Sequence, residues 1–300
     1  MPRPRGPWAP ERAFLGSSVP YDKADYVIIP VPYDSTASWR PGARFGPQSI
    51  IDASRFVEPY DPHTGASLSE VRIHTLPELD LPRGNHEEVL SLIQGVVSDV
   101  VTDGKIPIVI GGEHSITIGA FRGANSASPL AYISLDAHLD MYDIYEGTRY
   151  GHASVSARCS EIASFSAVIG VRSAGTEELR LARDRNVTVI WAWQVIQSPS
   201  ILDEVLGERR GSRVYVSVDV DVFDPSVIPC TGCPEPGGLG WYHVVRALDW
   251  VLTAMKPVAL DFTELGECLG RHDAPYTVAK LIAHAIAVIE SLGQPLSAGE

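Results

Sequence analysis

The chain has 300 residues, of which 45% are hydrophobic and 20% are charged, a composition typical of a globular protein. Its formal net charge of −13 argues against binding to nucleic acid or to an anionic membrane surface, because both require a basic face, and it favours cationic ligands. No apolar run approaches the ~20 residues that cross a bilayer, and the Pro- and Arg-rich start does not resemble a secretory leader. The sequence therefore predicts a cytoplasmic protein without membrane contact.

Short β-branched segments alternate with longer helical patterns after an irregular arm, which is assigned to residues 1–20. In chain order, strands are predicted over 26–30, 106–110, 131–135, 167–171, 187–191, 214–218 and 258–260. Helices are predicted over 87–102, 115–122, 176–185, 242–254 and 276–291. This alternation indicates an α/β fold with a mostly parallel sheet covered by helices on both faces. No linker divides the chain, so residues 21–300 are predicted to form a single domain.

Three polar residues, Asp136, His138 and Asp140, occupy every second position directly after the predicted strand 131–135. Alternation with period 2 places their side chains on one face, where the strand ends. Two carboxylates and an imidazole at a buried strand end would repel one another and remain desolvated unless a cation lay among them. The pattern predicts a divalent metal site.

Similar residues follow other predicted strands. His114 follows the strand 106–110, and Asp219 and Asp221 follow the strand 214–218. Ligands of α/β sheets bind beyond the carboxyl ends of the strands, so these residues are expected to converge. Aspartate and histidine suit Mn²⁺, with Zn²⁺, Co²⁺ and Ni²⁺ as competitors. A pair of such ions lowers the pKa of a shared water, which favours metal-assisted hydrolysis.

Four motifs resemble those of the ureohydrolase family, which contains arginase and agmatinase. They are Gly-Gly-Glu-His-Ser at 111–115, Asp-Ala-His-Leu-Asp at 136–140, Ser-Val-Asp-Val-Asp-Val-Phe-Asp-Pro at 217–225 and Arg-Pro-Gly-Ala-Arg-Phe-Gly-Pro at 40–47. The last motif is most similar to the agmatinase branch. The resemblance implies a three-layer α/β/α arginase-like fold, two Mn²⁺ ions per subunit and a homo-oligomer, either a trimer or a hexamer.

The resemblance also implies roles for individual residues. One metal ion would be held by His114, Asp136, Asp140 and Asp219, and the other by Asp136, His138, Asp219 and Asp221. Asp140 would orient the attacking water. His152 resembles the histidine that transfers protons near the substrate. Glu264 resembles the carboxylate that binds the guanidinium group of the substrate. The two oxygens of a carboxylate match the paired N–H donors of a guanidinium. Water would then attack the guanidinium carbon, and the C–N bond would break to release urea and an amine.

The predicted substrate is a small cationic guanidino compound, and agmatine, which would yield putrescine for polyamine biosynthesis, is the leading choice. Asp143 and Glu146 are predicted to bind its distal amine, while Arg149 and Arg158 leave open a substrate that carries a carboxylate. The alternatives are guanidinobutyrase, arginase or formimidoylglutamase activity, or a catalytically silent member that acts in binding or assembly.

Cys230 and Cys233 stand where the family commonly has glycine and threonine. A Cys-x-x-Cys pair can be redox-active or bind a structural metal. With no second pair nearby, two packed thiols are predicted instead. Four cysteines in a chain of this length do not indicate a disulfide framework.

Overall fold

A computed structural model describes residues 12–82, 84–198 and 200–293, and this part of the chain contains an eight-stranded sheet. The strands are β1 Tyr26–Val31, β2 Ile73–Thr75, β3 Ile106–Gly111, β4 Ala131–Leu135, β5 Phe165–Val171, β6 Thr188–Trp191, β7 Arg213–Asp219 and β8 Lys256–Thr263. They lie in the order β2-β1-β3-β8-β7-β4-β5-β6, and all seven neighbouring pairs are parallel. The predicted parallel sheet is confirmed.

The described residues also form nine α-helices. They are α1 Gly46–Ser54, α2 His86–Thr102, α3 Ile116–Ala124, α4 Val155–Ser160, α5 Thr176–Asp184, α6 Ala192–Gln197, α7 Ile201–Leu206, α8 Trp241–Ala254 and α9 Asp273–Gly293. Every strand and helix predicted from the sequence is present, with its ends displaced by at most three residues. The elements that were not predicted (β2, α1, α4, α6 and α7) are short, and few residues carry too little periodicity to identify an element.

Helices cover both faces of the sheet, which gives the three layers. Along β3, Ile108 and Ile110 belong to one apolar core, whereas Val109 between them belongs to another. The first core contains side chains from α1 and from α6 to α9, and the second contains side chains from α2, α3 and α4. Burial on both faces explains why these strands read as continuous β-branched runs.

Among the described residues, α9 is the one helix that is long and apolar enough to cross a membrane, judged by length and composition alone. Its residues from Val278 to Val288 are mostly buried against the sheet and against α8. The burial is that of a core helix.

A buried histidine, His284, joins α9 to two other parts of the fold. Its Nδ1 lies 2.8 Å from Oδ2 of Asp61, and its Nε2 lies 2.7 Å from Oδ1 of Asp249 in α8. Burial lowers the pKa of His284, but the hydrogen bonds to Asp249 and Asp61 outweigh it and raise the pKa above the usual value. Burial raises the pKa of Asp61, but its bonds to His284 and Thr64 lower it overall. Protonated His284 and the ionised Asp61 and Asp249 therefore form a charged cluster that joins α9 to α8 and to the loop of Asp61.

The change His284→Gln is expected to lower the free energy of unfolding by about 3 kcal/mol near pH 6, because it leaves a buried carboxylate without its cation. A raised pKa stabilises the fold below about pH 6.5, where the unfolded histidine is also protonated, and this contribution is lost as the pH rises through the folded-state value. Urea unfolding at pH 6 and pH 9 should show a smaller difference from the wild type at pH 9. The exposed His272→Gln is the control. If His284→Gln lowered the free energy of unfolding equally at both pH values, the charged cluster would be contradicted.

Candidate active site

The predicted metal ligands and Glu264 lie at or just beyond the carboxyl ends of four neighbouring strands, β3, β8, β7 and β4. His114 follows β3, Glu264 follows β8, Asp219 ends β7 and Asp136 follows β4. These strands form the centre of the sheet, although they are distant in the sequence. The sheet order therefore assembles the site as the strand-end pattern predicts.

The first candidate metal group consists of His114, Asp136 and Asp219, whose ligand atoms lie within 4.8 Å of one another. Nδ1 of His114 is 3.2 Å from Oδ2 of Asp136 and 3.4 Å from Oδ2 of Asp219. Oδ2 of Asp140 lies 2.9 Å from the same nitrogen. The four residues predicted for one ion therefore surround a single point.

The second candidate group consists of Asp136, His138 and Asp221. Nδ1 of His138 lies 2.9 Å from Oδ2 of Asp221 and 3.8 Å from Oδ1 of Asp136. Asp136 is thus common to both groups and presents one oxygen to each. Oδ1 of Asp219, which was predicted to be the other shared ligand, accepts the backbone N–H of Asp221 at 2.9 Å. Two adjacent groups with a common carboxylate are the arrangement of a two-ion site.

The surroundings of His114 test whether these residues fit a metal ion. Its Nε2 lies 3.0 Å from Oγ of Ser217, which donates its own proton to Oδ1 of Asp261 at 2.6 Å. The Ser217 oxygen must then accept from Nε2, which leaves Nδ1 as the nitrogen that faces the carboxylates. Metal-bound histidines commonly have such an outer partner. The buried Oδ2 of Asp136 has no hydrogen-bond partner among the described residues, so the group fits a divalent cation.

The pKa shifts in the two groups reflect the crowding of buried carboxylates and imidazoles. Burial lowers the pKa of His138, but the charge of Asp221 outweighs it and raises the pKa to about 11. Burial likewise opposes the shift at Asp221, yet His138 lowers its pKa to about 2. Burial, and then the charge of Asp136, raises the pKa of Asp140 to about 7. A bound divalent ion would supply the charge that the protonated imidazoles supply here.

Glu264 is held at the site by two contacts with the end of β3. Its backbone N–H donates to the carbonyl of Gly112 at 2.8 Å, and its Oε1 accepts the backbone N–H of His114 at 2.6 Å. Gly112 is required there because a Cβ would lie 1.8 Å from the carbonyl oxygen of Tyr33. Burial, and then the charge of Glu113, raises the pKa of Glu264 to about 8. A cation that binds beside Glu264 would offset both the cost of burying its charge and the repulsion from Glu113.

Asp140 and Glu264 both have left-handed backbone conformations, with φ of 52° and 66°. Such conformations cost of order 1–3 kcal/mol outside glycine and often occur at functional sites.

The turn after Asp140 is held by Glu178, a buried residue that was not predicted. Its two carboxylate oxygens accept the backbone N–H groups of Met141 at 2.9 Å and Gly175 at 2.7 Å. The sequence contains no signal for this role, because Glu178 reads as an ordinary helical residue of α5.

His152 lies in the same cavity as the metal groups, close to two hydroxyl groups. Its Nδ1 is 3.4 Å from Oγ1 of Thr36, and its Nε2 is 3.3 Å from Oγ of Ser38. Thr36 donates to Oε1 of Glu113 at 2.7 Å and therefore accepts from His152. Burial lowers the pKa of His152 below its usual value. A neutral imidazole near neutral pH suits a residue that accepts and returns a proton.

Asp143 and Glu146 do not line this cavity. Asp143 accepts hydrogen bonds from Arg158 at 2.5 Å and from Arg149 at 3.0 Å, and Arg158 is almost fully buried. The two arginines also contact Glu161. Glu146 lines a smaller neighbouring cavity beside His152. The cluster of Asp143 explains how the loop after Asp140 is anchored, and substrate binding by Asp143 and Glu146 stays a prediction.

The cysteine prediction was wrong. Cys230 forms a disulfide with Cys268, 38 residues later in the chain, while Cys233 is a free, half-buried thiol in the wall of the cavity. The disulfide joins the two loops beside Glu264, and Gly266 reinforces it by donating to the carbonyl of Cys230 at 2.7 Å. Disulfides are rare in reducing compartments, so the cytoplasmic prediction did not anticipate this bond.

The candidate site opens into a cavity of about 270 Å³. Metal-group residues form its floor, and aromatic and acidic side chains form its walls. The wall residues include Trp39, Arg40, Tyr142, Tyr145, Glu178 and Glu235. The cavity therefore combines a candidate metal centre with an acidic wall, which suits a small cationic ligand.

Comparisons with known proteins agree with this geometry. The model of the arginase family matches residues 24–287. An N(1)-aminopropylagmatine ureohydrolase of Thermus thermophilus is 38% identical over 278 residues, which cover 92% of this chain and 94% of the relative. An agmatinase of Pyrococcus horikoshii is 35% identical over 268 residues, or 88% of this chain and 92% of the relative. The crystal structure of agmatine ureohydrolase of Thermoplasma volcanium has a TM-score of 0.86 at 32% identity and covers 94% of this chain and 95% of that one.

Proposed function

The chain belongs to the arginase family, and from this premise we propose that it is a manganese-dependent ureohydrolase that cleaves agmatine to putrescine and urea. The observation that carries the proposal is the pair of carboxylate–imidazole groups that share Asp136 beside a cavity containing Glu264 and His152. Both ends of agmatine are cationic, and the cavity wall is acidic. The names of the relatives, agmatinase and agmatine ureohydrolase among them, support the same substrate class.

The first ion is assigned to His114, Asp136, Asp140 and Asp219, and the second to Asp136, His138, Asp219 and Asp221. When bound, two such ions supply a water of lowered pKa and stabilise the negative charge that develops in the reaction. Mn²⁺ is proposed because aspartate oxygens outnumber histidine nitrogens in both sets. A cytoplasmic location and a trimer or hexamer remain predictions.

The residues of the chain then divide the remaining work. Glu264 orients the guanidinium through charge-assisted hydrogen bonds, so that its carbon faces the metal groups. Asp140, held by the turn that Glu178 supports, accepts a hydrogen bond from the attacking water. Water adds to the guanidinium carbon, the bond from that carbon to the amine nitrogen breaks, and the leaving amine takes up a proton. His152, neutral in the resting site, accepts a proton during the addition and returns it to the amine.

A second substrate is favoured by the relatives. Four of them, 32–38% identical, carry the name N(1)-aminopropylagmatine ureohydrolase. That compound has the guanidino group of agmatine on a longer amine chain. The same chemistry would release urea and the corresponding triamine.

A urea-release assay with added Mn²⁺ tests the function. Agmatine or N(1)-aminopropylagmatine is expected to be hydrolysed, and arginine and 4-guanidinobutyrate are expected to react at least about 100-fold less efficiently, because a carboxylate in the acidic cavity would be poorly stabilised. Removal of the metal with EDTA should abolish urea release, and Mn²⁺ should restore it. Turnover of none of the four compounds would contradict the proposal and favour a catalytically silent protein.

A further inference from the structure

The cavity wall holds three glutamates outside the two metal groups, and they differ in what their carboxylates contact. Oε1 of Glu264 accepts the backbone N–H of His114, and its other oxygen is near Gly232. Both oxygens of Glu178 accept backbone N–H groups. The carboxylate of Glu235 forms no hydrogen bond or ion pair with any residue that the structure describes. Glu235 is half-buried and lines the cavity, and the Arg172 guanidinium acts on its charge only from beyond ion-pair distance.

The loop that carries Glu235 is held rigidly. Pro234 and Pro236 flank the residue and restrict the backbone on both sides. Nε and Nη2 of Arg172 donate to the carbonyl of Glu235 at 3.2 and 2.9 Å. The same guanidinium donates to the carbonyl of Asp221 at 2.6 Å, which ties this loop to the second metal group. The backbone of Glu235 is therefore already ordered before a ligand binds, and only the side chain must be immobilised.

The loop also has the correct reach. Gly232 lies at the start of the loop, and a Cβ at this position would be 3.4 Å from Oε2 of Glu264. Gly232 is therefore next to the proposed guanidinium site. Glu235 follows three residues later, and three residues span at most about 10 Å. A short aliphatic tail on a guanidinium bound at Glu264 is therefore long enough to bring its far end near Glu235. Arg40, the arginine in the wall, lies over the ring of Trp39 at 4.7 Å.

We propose that Glu235 binds the distal ammonium group of the substrate and thereby selects guanidino compounds with cationic tails. The proposal rests on the ureohydrolase function given above and adds a specificity residue to it. Glu264 binds the guanidinium end and Glu235 the amine end, with the aliphatic chain between them. Agmatine and N(1)-aminopropylagmatine both satisfy this arrangement, whereas arginine and 4-guanidinobutyrate carry a carboxylate in the tail.

The test compares agmatine with butylguanidine, which lacks only the distal amine. In the wild type, agmatine is expected to have a kcat/KM about 10- to 100-fold higher, the usual effect of one charge-assisted hydrogen bond. Glu235→Gln should remove most of this preference by raising the KM for agmatine, with the value for butylguanidine within about 2-fold of the wild type. Glu235→Lys should shift the preference towards 4-guanidinobutyrate.

The exposed Glu208→Gln, before β7, is the matched control and should leave both values unchanged. Equal losses for agmatine and butylguanidine in Glu235→Gln would assign Glu235 a structural role and overturn the proposal. Equal efficiency of the two compounds in the wild type would overturn it without any variant, so the test does not depend on the folding of a mutant. In both cases urea release would leave the ureohydrolase function intact, whereas no urea from any guanidino compound would contradict that function itself.

Discussion

Asp136→Asn is expected to lower kcat/KM for the guanidino substrate by about 1,000-fold or more and to leave fewer than two metal ions per subunit. Asp136 is the residue common to both candidate metal groups, and its two oxygens face different histidines. An amide keeps the shape but removes the negative charge and one acceptor, so both groups are weakened by one change. The loss of several kcal/mol of charge stabilisation in the transition state corresponds to a factor of this size.

Metal content by mass spectrometry and urea release should be measured on the same preparation. Asp203→Asn provides a matched control, because Asp203 is an exposed carboxylate of α7 in a surface ion pair with Arg210. Such pairs contribute little, so activity should change by less than about 2-fold. Full activity of Asp136→Asn with two bound ions would show that the carboxylate is not shared between two ions.

Glu264→Gln is expected to reduce kcat/KM by about 100- to 1,000-fold while both metal ions remain bound. The backbone N–H of His114 donates to Oε1, so the glutamine oxygen would keep this position. Its NH₂ group would then face the cavity and meet the N–H donors of the guanidinium, donor against donor. Breaking a buried, hydrogen-bonded charge pair costs about 2–5 kcal/mol, which gives a loss in this range.

Steady-state kinetics and metal analysis distinguish this result from that of Asp136→Asn. Glu264→Asp should fall between the wild type and Glu264→Gln, because it keeps the charge but shortens the reach. A loss of bound metal in Glu264→Gln would instead mean that Glu264 supports the metal groups through His114. Unchanged kinetics would remove Glu264 from the guanidinium site.

Local patterns in the sequence were sufficient for much of this protein. The strand before Asp136 is continuously apolar because both faces of a parallel sheet are buried, and period-2 alternation of Asp136, His138 and Asp140 is visible without any partner. The same patterns located the sheet and the strand ends that carry His114 and Asp219, whereas Glu264 was identified only through the family resemblance. These features depend on neighbours in the chain.

The failures have a common physical origin. The disulfide partner of Cys230 is Cys268, which lies in another loop, and the nearer Cys233 faces the cavity. Asp143 stays a predicted substrate ligand, but the sequence did not anticipate its ion pair with Arg158. Glu178 and Glu235 belong to no motif and reach the site through α5 and a loop. Contacts between residues distant in sequence depend on packing, which a local pattern does not contain.

By itself the sequence determined the α/β class, the family resemblance and the acids and histidines that follow the strands, because short-range periodicity and motif spacing record them. Only the tertiary structure decided that β3, β8, β7 and β4 are neighbours, which places Asp136 between His114 and His138 as the family resemblance implied. It also decided which acids face the cavity. The order of strands in a sheet follows from how helices pack on both faces, and that packing brings Glu235 and Glu264 to one wall although they are far from Asp136 in the chain.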